Sequence, residues 1–485
     1  MLSKEQKRAE DVYSGIGSGL SNGSSVLVAG AVLATIYGVV SLLPEYAVVG
    51  FLIIACPLGG HLLSTKLSER GVSSPTPSFI ASVSYTVFFG AGYLEYLVTD
   101  RSINFYAGTV DLSDALRVLI VTSVVTTGFC LGALFACGSN VTVTISSDAD
   151  ISVMRIFSII LFVLALAGAA LTIVGFGSAV AAVNAFASHD RNTGIAVAGS
   201  VGSSLWGVFN LPAMISSACV IASSKATRIA RLTAGAQFAT VFLVAIVVYA
   251  SRLTVILAFI GICAVVYAYK GIGIRPRYGI LALLTFIICS AVILAQRGAT
   301  DSIFRFTRLL EVLSYAIFDV SVAGSYYADR LSDQLAPLSR VFVVLQSAVP
   351  RSGLNSQEIS AARVDVIVVR AIGNSAQAES SGLPPSMPTF LYLAYGLTTA
   401  LVVSLVLGLL SGWIFKSLLS RRSVLGGFFT GLFIAFLFNV YKGGDLALDF
   451  ASELRRWVYL VALYFVVGLI IRGRQVSEIS RGAVV

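Results

Sequence analysis

The chain has 485 residues, of which 57% are hydrophobic and only 12% charged, with a mean hydropathy of +0.89. Soluble domains carry about 25% charged residues, so this composition excludes a soluble globular enzyme and a disordered polymer alike. The formal charge of +9 needs no nucleic acid as partner, because most of the basic excess falls on one side of the topology set out below.

A hydrocarbon core about 30 Å thick takes roughly 20 apolar residues per helix. Twelve stretches qualify, at about 25–43, 47–64, 78–98, 115–137, 154–174, 197–222, 232–250, 253–269, 278–296, 389–414, 423–439 and 456–471. A transmembrane β-barrel needs short alternating segments, whereas runs such as IFSIILFVLALAGAALTIV are unbroken. The expected fold class is therefore all-α, a polytopic transmembrane bundle of about twelve helices. The first 24 residues are polar, which predicts a retained, cytoplasmic N-terminus with no cleavable signal peptide.

With the N-terminus inside, the segments assigned to the cytoplasm carry 18 of the 33 basic residues and the short opposite loops carry 7. That bias supports twelve spans with both termini cytoplasmic. The remaining eight, Arg297, Arg305, Arg308, Arg330, Arg340, Arg351, Arg363 and Arg370, lie in the segment from Arg297 to about Pro388, which then faces outward. Three parts follow: 1–296 with nine spans, 297–388 as a large extracytoplasmic loop, and 389–485 with three more.

All six cysteines fall inside apolar spans, where they act as small hydrophobic residues. Neither a disulfide nor a cysteine metal site is expected. The two histidines, His61 in a span and His189 in a loop, are too few for a histidine cluster, so metal-independent chemistry without a cofactor is expected.

The outer segment is far longer than an ordinary connection, and such segments are functional or disordered. SIFRFTRLLEVLSYAIF and LSRVFVVLQSAV are too apolar to stay solvated and read as amphipathic helices on the bundle or the membrane surface. In NSQEISAARVDVIVVRAI an Asn precedes a Glu by three residues, a capping-box variant that predicts a helix from about Asn355. Arg363 and Arg370, seven residues apart, would share one face of it. Every basic residue of the segment is an arginine, whose rigid fork of donors suits phosphate oxygens. An anionic ligand at the outer surface explains that choice, and Arg297, Arg308, Arg351, Arg363 and Arg370 are the candidate ligands. Weak surface pairs such as Arg330 with Asp333 are the alternative. Pro384, Pro385 and Pro388 hold the chain extended until about Thr389, and a cavity is expected near Pro384 to Tyr395, since non-helical backbone at membrane depth lies against protein or water; a rigid connector above the membrane is the equal alternative.

The architecture, with GIRPRYGILALLTFI before a late span, a large outer loop, the re-entry LPPSMPTFLYLAYGLTTALVVSLVLGLL and the later FNVYKGGDLALDF, resembles the O-antigen polymerase (Wzy-type) family. Lys442 stands where an arginine is expected, and there is one extra glycine. The resemblance implies a GT-C-like glycosyltransferase in the bacterial inner membrane. Its substrate would be an undecaprenyl-diphosphate-linked oligosaccharide on the outer leaflet, whose growing chain is moved to the acceptor sugar of another lipid-linked unit. It admits membrane lipid and a chain-length regulator as further partners. Arginines would stabilise the diphosphate leaving group, and a loop carboxylate, Asp365, Glu379 or Glu358, would take the acceptor proton. Lys442 and Asp445 on the same side would complete the site. Tyr392 at the start of a span, and Arg191 beside His189 and Asp190 in another outer loop, are candidate glycan contacts. A lipid-linked oligosaccharide flippase and an O-antigen ligase are the alternatives. Against the flippase stand the long loop and the scarcity of charge at span centres; against the ligase, a loop without histidine.

Overall fold

A computed structural model describes residues 45–67, 75–99, 112–137, 148–187, 200–271, 284–293, 317–326, 328–346, 362–371, 385–420 and 423–482. Contacts divide the chain into Met1–Ile53 and Ile54–Val485. Of the first unit the opening turns of helix α1 (Glu45–Leu67) are described, and the span expected at 25–43 lies outside the described residues. The second unit is helical throughout its described residues: the rest of α1, then α2 (Pro77–Thr99), α3 (Leu112–Cys137), α4 (Asp148–Gly175), α5 (Ala179–Ala187), α6 (Ser200–Ala222), α7 (Arg228–Val247), α8 (Arg252–Lys270) and α9 (Leu284–Ile293). There follow α10 (Ile317–Tyr326), α11 (Ala328–Leu335), α12 (Leu338–Gln346), α13 (Val364–Ala371), α14 (Met387–Ser420), α15 (Val424–Gly443) and α16 (Leu446–Gly482).

Eight of these helices are long and apolar enough to cross a membrane: α3, α4, α6, α7, α8, α14, α15 and the Leu446–Ile471 part of α16. By composition the chain is a multi-pass helical membrane protein. Helices α1 and α2 coincide with the spans expected at 47–64 and 78–98, and α9 is the described part of the one at 278–296.

Between lipid-embedded helices there is no hydrophobic gain from association, so close backbone approach through small residues supplies the attraction. The α3–α14 pair shows this from both sides. Gly128 and Gly132 of α3, four apart, meet Leu401 and Leu405, and Gly408 and Gly412 of α14, also four apart, meet Phe129 and Ala133. A Cβ on Gly132 would sit 2.1 Å from the Leu405 carbonyl oxygen, and one on Gly408 equally close to that of Phe129. Ser404, one turn before Gly408, donates to the Val125 carbonyl at 2.6 Å. Helices α4 and α6 meet the same way through Gly168 and Gly202.

The described helices of the segment expected as an outer loop pack into this bundle. Residues Ile317, Phe318, Val320 and Val322 of α10 are wholly buried, and Phe318 stands edge-on to Phe89 and Tyr93 over Gly92, which leaves room for it. The part of the expected amphipathic helix that is described, Ile317 and Phe318, is thus core, because both faces of IFDVSVAGSY are apolar. Helix α12 inverts its expected amphipathicity: Arg340 is 7% exposed and Phe342 61%. Helix α13 starts at Val364, so Arg363 precedes it and does not share a helix face with Arg370; the residues from Asn355 to Ala361 lie outside the described residues.

Helix α14 begins at Met387, before the expected Thr389, with Pro388 in the first turn, where a missing N–H breaks no helical bond. Ser386 shares a hydrogen bond with Thr389 at 3.0 Å, and Thr389 donates to Ser321 of α10 at 2.9 Å. Of the stretch where a cavity is expected, Pro385 to Leu391 are all buried against protein. The helix breaks instead at Gly396, whose φ of 75° and ψ of 170° suit glycine alone.

Candidate functional site

Helix α15 ends at Gly443, and Gly444 closes it in the left-handed region at φ 71°, its N–H returning to the Val440 carbonyl. A Cβ at Gly444 would also lie 2.4 Å from the Pro385 carbonyl oxygen, so glycine is required twice over, by dihedral and by space. The turn is recessed along the bundle, since Tyr441 shares a hydrogen bond with Thr126 near the middle of α3.

Asp445 follows and caps α16, accepting from the Leu448 N–H at 3.2 Å. Its other oxygen accepts from the Val364 N–H at the start of α13, 3.0 Å away, and lies 3.5 Å from Arg340 Nη1. Arg340 donates to the carbonyls of Leu335 and Ala362, each at 3.1 Å, and its guanidinium sits 5.4 Å from the Phe390 ring centroid. Both side chains are almost fully buried, at 6% and 5% exposure. A buried ion pair survives desolvation only when its remaining donors and acceptors are satisfied, and here the fork of Arg340 meets one carboxylate and two carbonyls. One residue pair thereby ties the α11–α12 corner, α13 and α14 to the start of α16.

Beyond Asp445 the buried face of α16 carries an acid every turn: Asp449, then Glu453. Asp449 Oδ1 accepts from Asn439 Nδ2 at 3.0 Å, while Oδ2, packed on Gly443, is buried without a hydrogen-bond partner. Glu453 is ion-paired with Arg456 one turn on, and Arg456 Nη2 donates to the Gly207 carbonyl at 3.0 Å. Glu453 and Arg456 form part of the wall of a half-open recess of about 290 Å³, together with Asn439, Asn210, Trp206 and Tyr249.

Comparison with family models, with curated proteins and with solved structures returns no match.

Of the residues singled out in the sequence, Asp445, Asp365, Arg363 and Lys442 come together around the α13 and α15–α16 junctions. Arg363 grips Asp365 through two donors, with Nε at 3.0 Å from Oδ1, and Asp365 Oδ1 also accepts from the Val366 N–H. Lys442 is half-buried in the last turn of α15. Arg370 is exposed in the last turn of α13. Tyr392 accepts from Arg117 Nη2 at 3.2 Å. Arg297, Arg308, Arg351, Arg191, Glu358 and Glu379 lie outside the described residues. Asp449, Glu453, Asn439 and Arg456 are not among the sequence candidates, and Arg340 enters there only as one of the eight arginines of the segment. The signal available was the i, i+4, i+8 spacing of acids from Asp445, which puts all three on one helical face.

Proposed function

We propose that the chain polymerises lipid-linked oligosaccharide repeat units of an O-antigen or similar surface polysaccharide, as a GT-C-like protein of twelve spans in the bacterial inner membrane. The observation that carries this reading is the buried Arg340–Asp445 pair at the junction where Arg363, Lys442 and Asp365 also gather. The acceptor hydroxyl oxygen attacks the anomeric carbon of the growing chain, and the bond to undecaprenyl diphosphate breaks with its electron pair on the leaving diphosphate. Arg363, Arg370 and Lys442 meet that charge, together with Arg297, Arg308 and Arg351 of the same segment, in a partly dry setting where such charges count most. The hydroxyl proton passes to a carboxylate, with Asp365, Glu358 and Glu379 as candidates. Arg340 acts as a positioning residue, holding α13 against Asp445.

A second reading has one observation in its favour. Transporters use broken helices and ionisable residues within spans, and α14 breaks at Gly396 while Asp449 and Glu453 fall within the Leu446–Ile471 span. A lipid-linked oligosaccharide flippase is that alternative. Deleting the gene and resolving surface polysaccharide by gel separates the two. Single repeats on the lipid core support polymerisation; absence of all repeats overturns it in favour of a flippase or ligase.

A further inference from the structure

The recess between α5, α6, the α7–α8 turn, α15 and α16 lies apart from the Arg340–Asp445 pair and has a different chemical character. Among its lining residues are one acid, Glu453, and one base, Arg456, and the two are paired. Its net charge is therefore zero, which disfavours a diphosphate. Its walls mix polar side chains, Asn210, Asn439, Ser203, Ser251 and Thr254, with apolar ones such as Leu253, Leu257 and Phe436, beside Trp206 and Tyr249. Planar amides, a carboxylate and a guanidinium, each able to reach two neighbouring hydroxyls, set beside an aromatic wall, suit a neutral ring with apolar C–H faces and a rim of hydroxyls.

The wall is built before any ligand arrives. Trp206 and Tyr249 stack at 4.4 Å with their planes 2° apart, Phe186 closes on Tyr249 at 4.8 Å, and the Tyr249 hydroxyl donates to Thr172 at 2.9 Å. The turn carrying Tyr249 and Ser251 holds Ala250 at φ 45°, a conformation that costs a non-glycine residue energy and that clusters at binding sites. Arg456 also keeps a buried Nε with no hydrogen-bond partner, an orphan of the kind that native structures seldom tolerate.

We infer that this recess binds a neutral pyranose ring, with Glu453 and Asn439 accepting and donating to its hydroxyls and Trp206 bordering its C–H face. The inference deepens the polymerase reading, in which the recess is the acceptor-sugar subsite, but sugar binding does not depend on it. The volume of about 290 Å³ stands at the small end of ligand sites, which fits a ring or two and not a long glycan.

The test uses the full chain in detergent and a panel of methyl pyranosides (gluco, galacto, manno and their 2-acetamido forms), with tryptophan fluorescence as readout. At least one glycoside is expected to give a saturable change that Trp206→Phe removes. Glu453→Gln should weaken binding about tenfold. Gly207→Phe should abolish it, because that position lines the recess and a Cβ there meets nothing within 4 Å, so the larger side chain enters open space and folding is retained. No saturable response to any glycoside, an unchanged response in Gly207→Phe, or a response to zwitterionic glycine alone overturns the proposal. Sugar binding in a protein whose gene deletion leaves long chains in the cell sinks the polymerase reading and leaves this one standing. Loss of long chains on deletion without pyranoside binding does the reverse.

Discussion

Replacing Arg340 by leucine tests whether the outer segment is held by one buried ion pair. The substitution keeps the aliphatic volume over Phe390 but removes the guanidinium 3.5 Å from Asp445 and leaves the Leu335 and Ala362 carbonyls without the donors that now reach them at 3.1 Å. Breaking a buried pair from one side costs about 3–5 kcal/mol, because the partner charge stays desolvated. Asp445→Asn alone removes the charge but keeps one acceptor, so either the Val364 or the Leu448 N–H goes unmet, at about 1–3 kcal/mol, and Arg340 becomes a buried cation without a counter-ion. In the double variant neither charge is left exposed to a dry interior. The sum of the two single effects should therefore exceed the double effect by about 2 kcal/mol, within the range of contacting pairs. Equilibrium unfolding in mixed micelles with increasing SDS, followed by circular dichroism and by protease cleavage between α12 and α13, measures both. A cost for Arg340→Leu under about 1 kcal/mol, or simple additivity, refutes the assignment of this pair as the anchor.

Gly396→Ala places a Cβ-bearing residue at φ 75°, ψ 170° with no neighbour within 4 Å; the loss of about 1–3 kcal/mol is then purely backbone, and the same micelle unfolding reads it. Gly132→Val drives side-chain atoms into the Leu405 carbonyl, 2.1 Å from where its Cβ would lie. The α3–α14 pair must open, at about 1–3 kcal/mol, and a cysteine cross-link between positions 128 and 401 should form more slowly than in the parent. Arg370→Cys, at an exposed position on α13, should react with a membrane-impermeant maleimide in intact spheroplasts; labelling only after permeabilisation inverts the proposed topology.

How much of this was legible depended on whether the deciding contacts were local. Unbroken apolar runs gave α3, α4, α6, α7, α8 and α15 to within a few residues, since length and apolarity alone fix a lipid-spanning helix. Apolarity places the last span at 456–471, whereas helix α16 starts at Leu446. The charges of DLALDFASELRRW marked a water-exposed loop in the sequence, yet a helix can carry one acid per turn below the surface when that face meets partners. The partners, Arg340 at 105 residues' remove from Asp445 and Asn439 against Asp449, are set by tertiary packing and leave no local trace. Helix α12 failed for the same reason: amphipathicity sends Arg340 to water, and a carboxylate from a distant helix end turns it inward.

The row of acids on α16 then explains why one helix carries both halves of the candidate chemistry. Asp445 belongs to the charged junction with Arg340, and Glu453 to the neutral recess, eight residues on. At about 1.5 Å per residue that separates them by about 12 Å along a single rigid element, a gap that a sugar ring or two can bridge between a diphosphate and an acceptor. Asp449 lies between with one oxygen on Asn439 and the other unpartnered, and Lys442 is the nearby cation acting on it. A site built on a helix holds its spacing better than one built on loops. If the two halves handle one substrate, α16 is the ruler between them, and changes at its start and at Glu453 should both alter chain length while leaving the recess-lining aromatic stack intact.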